Sequence, residues 1–519
     1  MEFGDAVIDK LLTASQISSH AFVVSGDLRI FREGSRRLDI NMRTGEVWMA
    51  DEAKLWKPKF DGPTHGPLPE TAADRAETFL RDIGLGPFVP AGYPHDVKVP
   101  MPVESRAVRC ILNRKTGKFG PRVEIWLDSY ASFITRVDVT ALSPPGTTWV
   151  PLVGRGLKRG VTFAPNGDII AFHGAVPRQR AKSFLRPMIE REESQNAFRA
   201  RLHQLDFFGA IESELAYQWN EGSGGAVLHP VWLHSASVMT REGEYAPKPM
   251  ALPTVAYPAA QSYVDLTGDC PTVLSAGWLS PTMPAAAPLA TGVWWFEDGE
   301  ISAKRNAHGF LGGMSNAKWQ IVADRGGIKG LKDDWLAHAS KGVDQADLVY
   351  YAGHADGQGW CFDSLDNCAQ VSDSALGDGD VSSHFYGQRL KWLVICACGP
   401  LQDQIVTYGH GDAFDRWRGA FDGLHTMVGY ATPIGDRCHV GERLASLLPN
   451  TTVIDAWLRA AREIQVGPGA SEGSTVRAAA LYAFDCSSND PLLDSVGPTP
   501  IFAKQSPQPH IFTGIWTPA

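Results

Sequence analysis

The sequence predicts a two-part chain: an α+β region in the first half, then an α/β domain with a mostly parallel sheet and helices on both faces. Three observations carry this. From residue 319 onward, short apolar runs alternate with stretches of helical periodicity, the order that builds parallel sheets. Two of those runs, Leu348 to Ala352 and Lys391 to Ile395, are almost continuously apolar, as strands covered on both faces are. Ahead of them, residues 249–290 shift towards Pro, Ala, Thr and Ser, the composition of a linker or an extended strap.

At 519 residues the chain exceeds what one hydrophobic core fills. The expected divisions are an α+β module over 1–150, a second α+β module over 151–248 that repeats the order of the first, the strap over 249–290, and the α/β domain over 291–519. In the first module, Phe22 to Val24, Leu28 to Phe31, Arg37 to Met42 and Glu46 to Met49 read as short strands. Pro69 opens a helix whose stripe is Ala72, Ala73, Ala76, Phe79, Leu80 and Ile83, and Gly84 ends it. Val108 to Leu112 and Val123 to Leu127 form a hairpin. In the second module the turn Pro165-Asn166-Gly167-Asp168 joins Val161 to Ala164 with Ile169 to Phe172. A helix over Ala181 to Leu205 and a strand over Val227 to Leu233 follow.

The second half continues with a strand over Trp319 to Ala323 and a short helix over Asp333 to Ser340. After the two apolar runs come a helix over Asp412 to Phe421, a strand over His425 to Ala431, a helix over Thr452 to Ile464 and a strand over Ala478 to Phe484. Phe414, Trp417 and Phe421 share one helical face. So do Ile454, Trp457, Leu458 and Ala461.

Hydrophobic residues make up 44% and charged residues 20%, which suits a globular protein and excludes a mainly disordered one. The net charge of -9 argues against general binding to nucleic acid or to an anionic membrane, both of which need a basic face. The start, MEFGDAVIDKLLTASQ, carries acids where a secretory signal carries lysine or arginine, and no run of about 18 apolar residues occurs. A cytoplasmic address is the expectation. Eight cysteines in so long a chain are too sparse for a disulfide framework.

The chemistry concentrates where the two apolar runs end. DLVYYAGH (347–354) stops at an imidazole, and LKWLVICACG (390–399) ends at a thiol and a glycine. The C-terminal edge of a parallel sheet is where open α/β folds place their sites. A cysteine reacts as thiolate, yet its ordinary pKa of about 8.5 leaves few ionised near neutrality, so a histidine that takes the proton completes the unit. His354 and Cys398 stand 44 positions apart and meet only if their strands are neighbours with both turns at one edge. Each also has a structural reading, His354 as a turn histidine and Cys398 as a buried thiol that packs like a small hydrophobe. Cys396 is the rival nucleophile on the same face of the strand.

Asp356 and Asp412 follow the histidine and the cysteine and are candidate pocket residues, or solvated acids. Cys361, Cys368, Cys396 and Cys398 with His354 do not match the short-spaced cysteine pairs of zinc sites, so no metal is expected. No organic cofactor is called for either.

These residues resemble the caspase-like (clan CD) cysteine peptidases, which carry an apolar block ending in His-Gly and a later one ending in a small residue and the nucleophilic Cys. The corresponding stretches are LVYYAGHADG and WLVICACG, and the resemblance covers about the last 220 residues. The whole chain also resembles a group of such proteins with a PepSY-like front half. The likeness implies Cys398 as nucleophile, His354 as general base and acid, and the backbone N–H groups of Ala355 and Cys398 as oxyanion donors. It implies a peptide or protein substrate. Ala355 departs from the usual glycine after the histidine. Cys396 stands where caspases carry Gln and metacaspases Asp, a position that the likeness implies lines the substrate pocket, so the residue preferred at the cut does not carry over. The expected activity is hydrolysis of a peptide bond through a thioester; with an amine as acceptor the same site acts as a ligase or transpeptidase. A catalytically inactive scaffold is the alternative from another class.

Overall fold

The computed structural model describes residues 5–18, 20–60, 71–85, 103–113, 116, 118–134, 136–138, 149–153, 158–175, 189–202, 211–222, 225–239, 249–251, 255–258, 289–296, 301–326, 333–336, 342–357, 359–360, 389–403, 412–421, 424–432, 434, 439–465, 476–484 and 511–518. One mixed α/β sheet of 16 strands runs through both halves. From the first half come β1 (Phe22–Ser25), β2 (Leu28–Glu33), β3 (Arg36–Asn41), β4 (Glu46–Asp51), β5 (Val103–Asn113), β6 (Val123–Ile134), β7 (Lys158–Phe163) and β8 (Ile169–Ala175). The second half adds β9 (Ala290–Trp295), β10 (Gln320–Gly326), β11 (Leu348–Ala352), β12 (Trp392–Cys396), β13 (Thr426–Tyr430), β14 (Arg477–Phe484) and β15 (Ile511–Pro518). Their order across the sheet is β1-β2-β3-β4-β8-β7-β6-β5-β15-β14-β13-β12-β11-β9-β10, and the short strand Lys118–Phe119 pairs with β5 off this path.

The expected parallel sheet is a five-strand stretch of this larger one, β10-β9-β11-β12-β13. Beyond β13 every pair on the path is antiparallel, so the sheet taken whole is mostly antiparallel. β11 and β12 are buried at all five positions each, which is why both read as unbroken apolar runs. The hairpin β7–β8 lies between β4 and β6, so strands from either side of residue 150 interleave in one sheet. A second sheet of 6 strands is built on the hairpin Ile211–Gly222 and Gly225–Met239, and Pro249–Ala251 and Val255–Pro258 pair with the latter strand. The strap expected over 249–290 otherwise lies outside the described residues, apart from its last two positions.

Helices cover both faces. On one lie α3 (Ile301–Asn316), α5 (Val440–Leu447) and α6 (Val453–Ile464), whose Phe310, Leu444 and Trp457 share a core with Tyr350 and Val394. On the other, α4 (Ala413–Trp417) brings Phe414 and Trp417 onto Tyr351 and Ile395. The alternation of β11 and β12 sends successive side chains to the two cores. In the first half α1 (Asp5–Ser15) and α2 (Thr71–Asp82) pack Leu11, Leu12, Ala76 and Leu80 onto Leu38, Val161 and Phe172. Among the described residues no helix is long and apolar enough to cross a membrane.

α6 locks the halves together. Thr452 caps it, accepting the Asp455 N–H at 3.0 Å, and eleven of its twelve residues are buried because its polar side faces the first-half sheet. Fully buried Arg462 donates to Thr162 Oγ1 (2.8 Å), Ser105 Oγ (3.0 Å), Asp128 Oδ1 (2.9 Å) and the Pro518 carbonyl (3.1 Å). Its guanidinium lies 4.5 Å from the Tyr130 ring centre and 4.9 Å from that of Trp56. Arg459 reaches Asp39 at 2.6 Å and Glu463 at 3.0 Å. Burial pushes the Glu463 carboxyl up, but Arg443 and Arg459 outweigh it and hold the group at about 2. Burial brings Lys158, which donates to the Gln465 carbonyl at 3.0 Å, down to about 7.

Candidate functional site

The register of β11 on β12 pairs Ala352 with Cys396, the last residues of both strands. His354 and Cys398 each stand two residues beyond that pair, at the C-terminal edge of neighbouring parallel strands. This is the arrangement the two sequence runs require if they are to act together. Both residues are buried, at 3% and 6% exposure.

The histidine end is held from three directions. Phe296, just past β9, donates its N–H to the Ala352 carbonyl at 3.0 Å and sets its ring edge-on to the imidazole, centroids 5.4 Å apart. Tyr351 Oη reaches forward and donates to the His354 carbonyl at 3.0 Å. Gly353 permits both, because a Cβ there would stand 2.4 Å from that hydroxyl and 2.7 Å from Phe296 Cβ. After the histidine, Ala355 and Asp356 pair with Trp360 and Gly359 in a small hairpin. Trp360 drops into a nest formed by Trp335, Tyr351 and Trp417, with centroids at 5.0, 6.0 and 5.7 Å.

The cysteine end is a tight turn. Gly399 takes a φ of +73°, a region glycine enters without penalty, and its carbonyl accepts the Gln402 N–H at 3.1 Å. The next three carbonyls are tied by side chains: Pro400 by Trp417 Nε1 (2.9 Å), Leu401 by Trp516 Nε1 (2.9 Å) and Gln402 by Arg416. Leu401 N–H donates to the Tyr430 carbonyl at 3.0 Å, fastening the turn to β13. Trp417 therefore touches both ends, stacking on the histidine hairpin and bonding the cysteine turn.

Cys396 is a different environment from Cys398. It is fully buried, and its sulfur accepts a hydrogen bond from Asn306 Nδ2 of α3 at 3.2 Å. Asn306 Oδ1 in turn accepts from Tyr350 Oη at 2.9 Å and from the Gly441 N–H at 2.6 Å, so the amide has a single sensible orientation. Burial, with Cys396 next to it, pushes the Tyr350 phenol well above its ordinary range. The two cysteines share one core, as their spacing of two predicts.

Asp412 stands at the start of α4. Its carboxylate accepts the Asp415 N–H at 3.0 Å, capping α4, and Arg122 Nε of the first half at 2.5 Å. Those two bonds, one on each carboxylate oxygen, orient the acid that sequence offers as a pocket residue. The backbone of Asp356 sits in the hairpin after His354. Cys361 and Cys368 lie outside the described residues. Sequence reading gives no role to Asn306, Phe296, Trp516 or Trp360, and places Trp417 only on an apolar helix face. For the tryptophans the available signal was their number near the two runs. For Asn306 there was none, since its partners lie 44, 90 and 135 positions away.

Residues 300–499 match the family model described as a domain of unknown function (DUF6345). That span contains both strand ends and the Asn306 network but stops before β15. No curated protein matches the chain.

Proposed function

We propose that the chain is a cysteine hydrolase of peptide bonds, with Cys398 as nucleophile and His354 as general base and acid, on a caspase-like arrangement of β9 to β13. The observation that carries this reading is the Ala352–Cys396 register, which brings the ends of the strands that lead to His354 and Cys398 to one sheet edge. In the proposed reaction His354 takes the Cys398 proton, the thiolate attacks the carbonyl, and the backbone N–H groups of Ala355 and Cys398 receive the developing charge. The imidazolium then protonates the leaving amine. Water attacks the thioester with His354 as base; an amine in place of water makes the same site a ligase or transpeptidase. The well-tied backbone on both sides of the pair supports a pre-formed site, since fixed geometry is what such a dyad needs.

A second reading, a binding scaffold without catalysis, is favoured by the burial of both side chains, at 3% and 6% exposure. Limiting iodoacetamide across pH 5 to 9, with the alkylated cysteine mapped by mass spectrometry, separates the two. Selective alkylation of Cys398 below pH 7, lost in His354→Ala and directed at Cys398 and not Cys396, supports the hydrolase. Even labelling only near pH 8.5, unchanged by the substitution, sinks it.

A further inference from the structure

The geometry points to Arg106 of the first half as a positioning residue for the cysteine turn, through its ion pair with Asp403. This rests on the reading of Cys398 as nucleophile. β5 lies antiparallel on β15, and Arg106 is paired directly with Trp516. Both side chains reach the same turn, residues 399–403. Trp516 ties the Leu401 carbonyl at 2.9 Å, and Arg106 engages the carboxylate of Asp403, two residues on.

Arg106 is suited to hold rather than follow. Its guanidinium lies 5.5 Å from the centre of the Trp516 ring and donates to Glu124 of β6 at 3.1 Å. Its side chain is 18% exposed, against 43% for Asp403. The cation is thus fixed by the sheet, on an indole face and between two carboxylates, while the acid belongs to the turn. The turn is tied from α4, β13 and β15 within the second half, and Arg106 ties it from the first. Removing the first half would take away that anchor. The first half therefore serves as a component of the site and not as a cover to be released.

An exposed ion pair commonly contributes little, so the test must separate positioning from mere docking. In the full-length chain, Arg106→Ala, Asp403→Asn, their double variant, Arg106→Lys and Lys57→Ala are compared. Lys57 pairs with Asp455 at 2.9 Å, a first-to-second-half contact on α6 that has no part in the turn. The readouts are amide hydrogen exchange over 399–403 and the rate of Cys398 alkylation by iodoacetamide. Arg106→Ala and Asp403→Asn are each expected to speed exchange in the turn about tenfold and slow alkylation about fivefold. The double variant should match either single one, Arg106→Lys should recover part of the loss, and Lys57→Ala should change neither readout. Unaltered exchange over 399–403 in Arg106→Ala, or an equal effect of Lys57→Ala, overturns the positioning role. A wild-type Cys398 that is unreactive at every pH sinks the hydrolase reading and this role with it. A reactive Cys398 indifferent to Arg106→Ala overturns this role alone.

Discussion

Trp360 and Trp417 lie nearly parallel, ring centroids 5.7 Å apart and planes 27° from one another. Trp360 belongs to the hairpin after His354, and Trp417 donates to the carbonyl of Pro400, two residues after Cys398. The stack makes the distance between the two strand ends a packed quantity.

Trp417→Phe keeps a ring in the stack and deletes the bond to Pro400. The loss of one buried hydrogen bond, about 1 kcal/mol, is expected to slow Cys398 alkylation about fivefold with little change in the denaturation midpoint. Trp417→Ala removes the ring as well and is expected to cost about 3–5 kcal/mol of stability in urea titration. Equal alkylation rates in wild type and Trp417→Phe would show that the turn does not depend on this tie.

Asn306→Ala removes an acceptor from the Tyr350 hydroxyl and from the Gly441 N–H together. Buried donors left unpaired are expected to make the loss about 2–4 kcal/mol, well above that of an ordinary surface asparagine. Chemical denaturation measures it. Thiol accessibility of Cys396 is expected to rise in the same variant, because the amide that covers its sulfur is gone.

Arg462→Met leaves Asp128 buried without its cation. A cost of about 3–5 kcal/mol is expected, as for other broken buried pairs. Because Arg462 bonds to the first half and to β15 alike, wild type should unfold its described sheet in one transition. Calorimetry checks this: two well-separated transitions, one per half, would contradict the interlock.

The pH dependence of stability follows from three groups near α6. Burial brings His173, hydrogen-bonded to Tyr130 at 2.8 Å, down to about 3. The unfolded chain takes up that proton first, so its contribution is complete above about pH 6.5 and is lost as pH falls towards 3. Glu463, held at about 2, contributes fully above about pH 4.3 and is lost as pH falls through 2. Lys158 sits at about 7, so its contribution is complete only above its unfolded value of about 10.4 and falls away as pH drops through 7. Midpoints of thermal unfolding are expected to decline from pH 6.5 downward, and less steeply in His173→Phe. Between pH 7 and 10 the Lys158→Met curve should be flatter than that of wild type.

The legible part of the fold was where burial is local. β11 and β12 could be placed because strands covered on both faces are apolar throughout. α6 could be placed because a wide apolar stripe follows a capping threonine. α3 was missed: Gly309, Gly312 and Gly313 dilute its periodicity, and its fit to α5 shows only in three dimensions. β15 was missed because it pairs with strands on either side that sequence reading assigned to separate domains. The two candidate reactive residues were readable from strand ends, whereas their supports were not. Asp412 shows the limit most plainly. An acid that caps a helix and one that lines a pocket look alike in sequence, and the bond to Arg122, 290 positions away, shows only in three dimensions.

The place of β15 also bears on how the chain is made. β5 is made some 400 residues before its partner on the sheet, Ile511–Pro518. Until then a nascent chain holds two raw strand edges, β5 and β14, that await the same neighbour, β15. Chaperones would be expected to attend that interval. A product that stops before Ile511 is expected to keep that seam open and to self-associate through it.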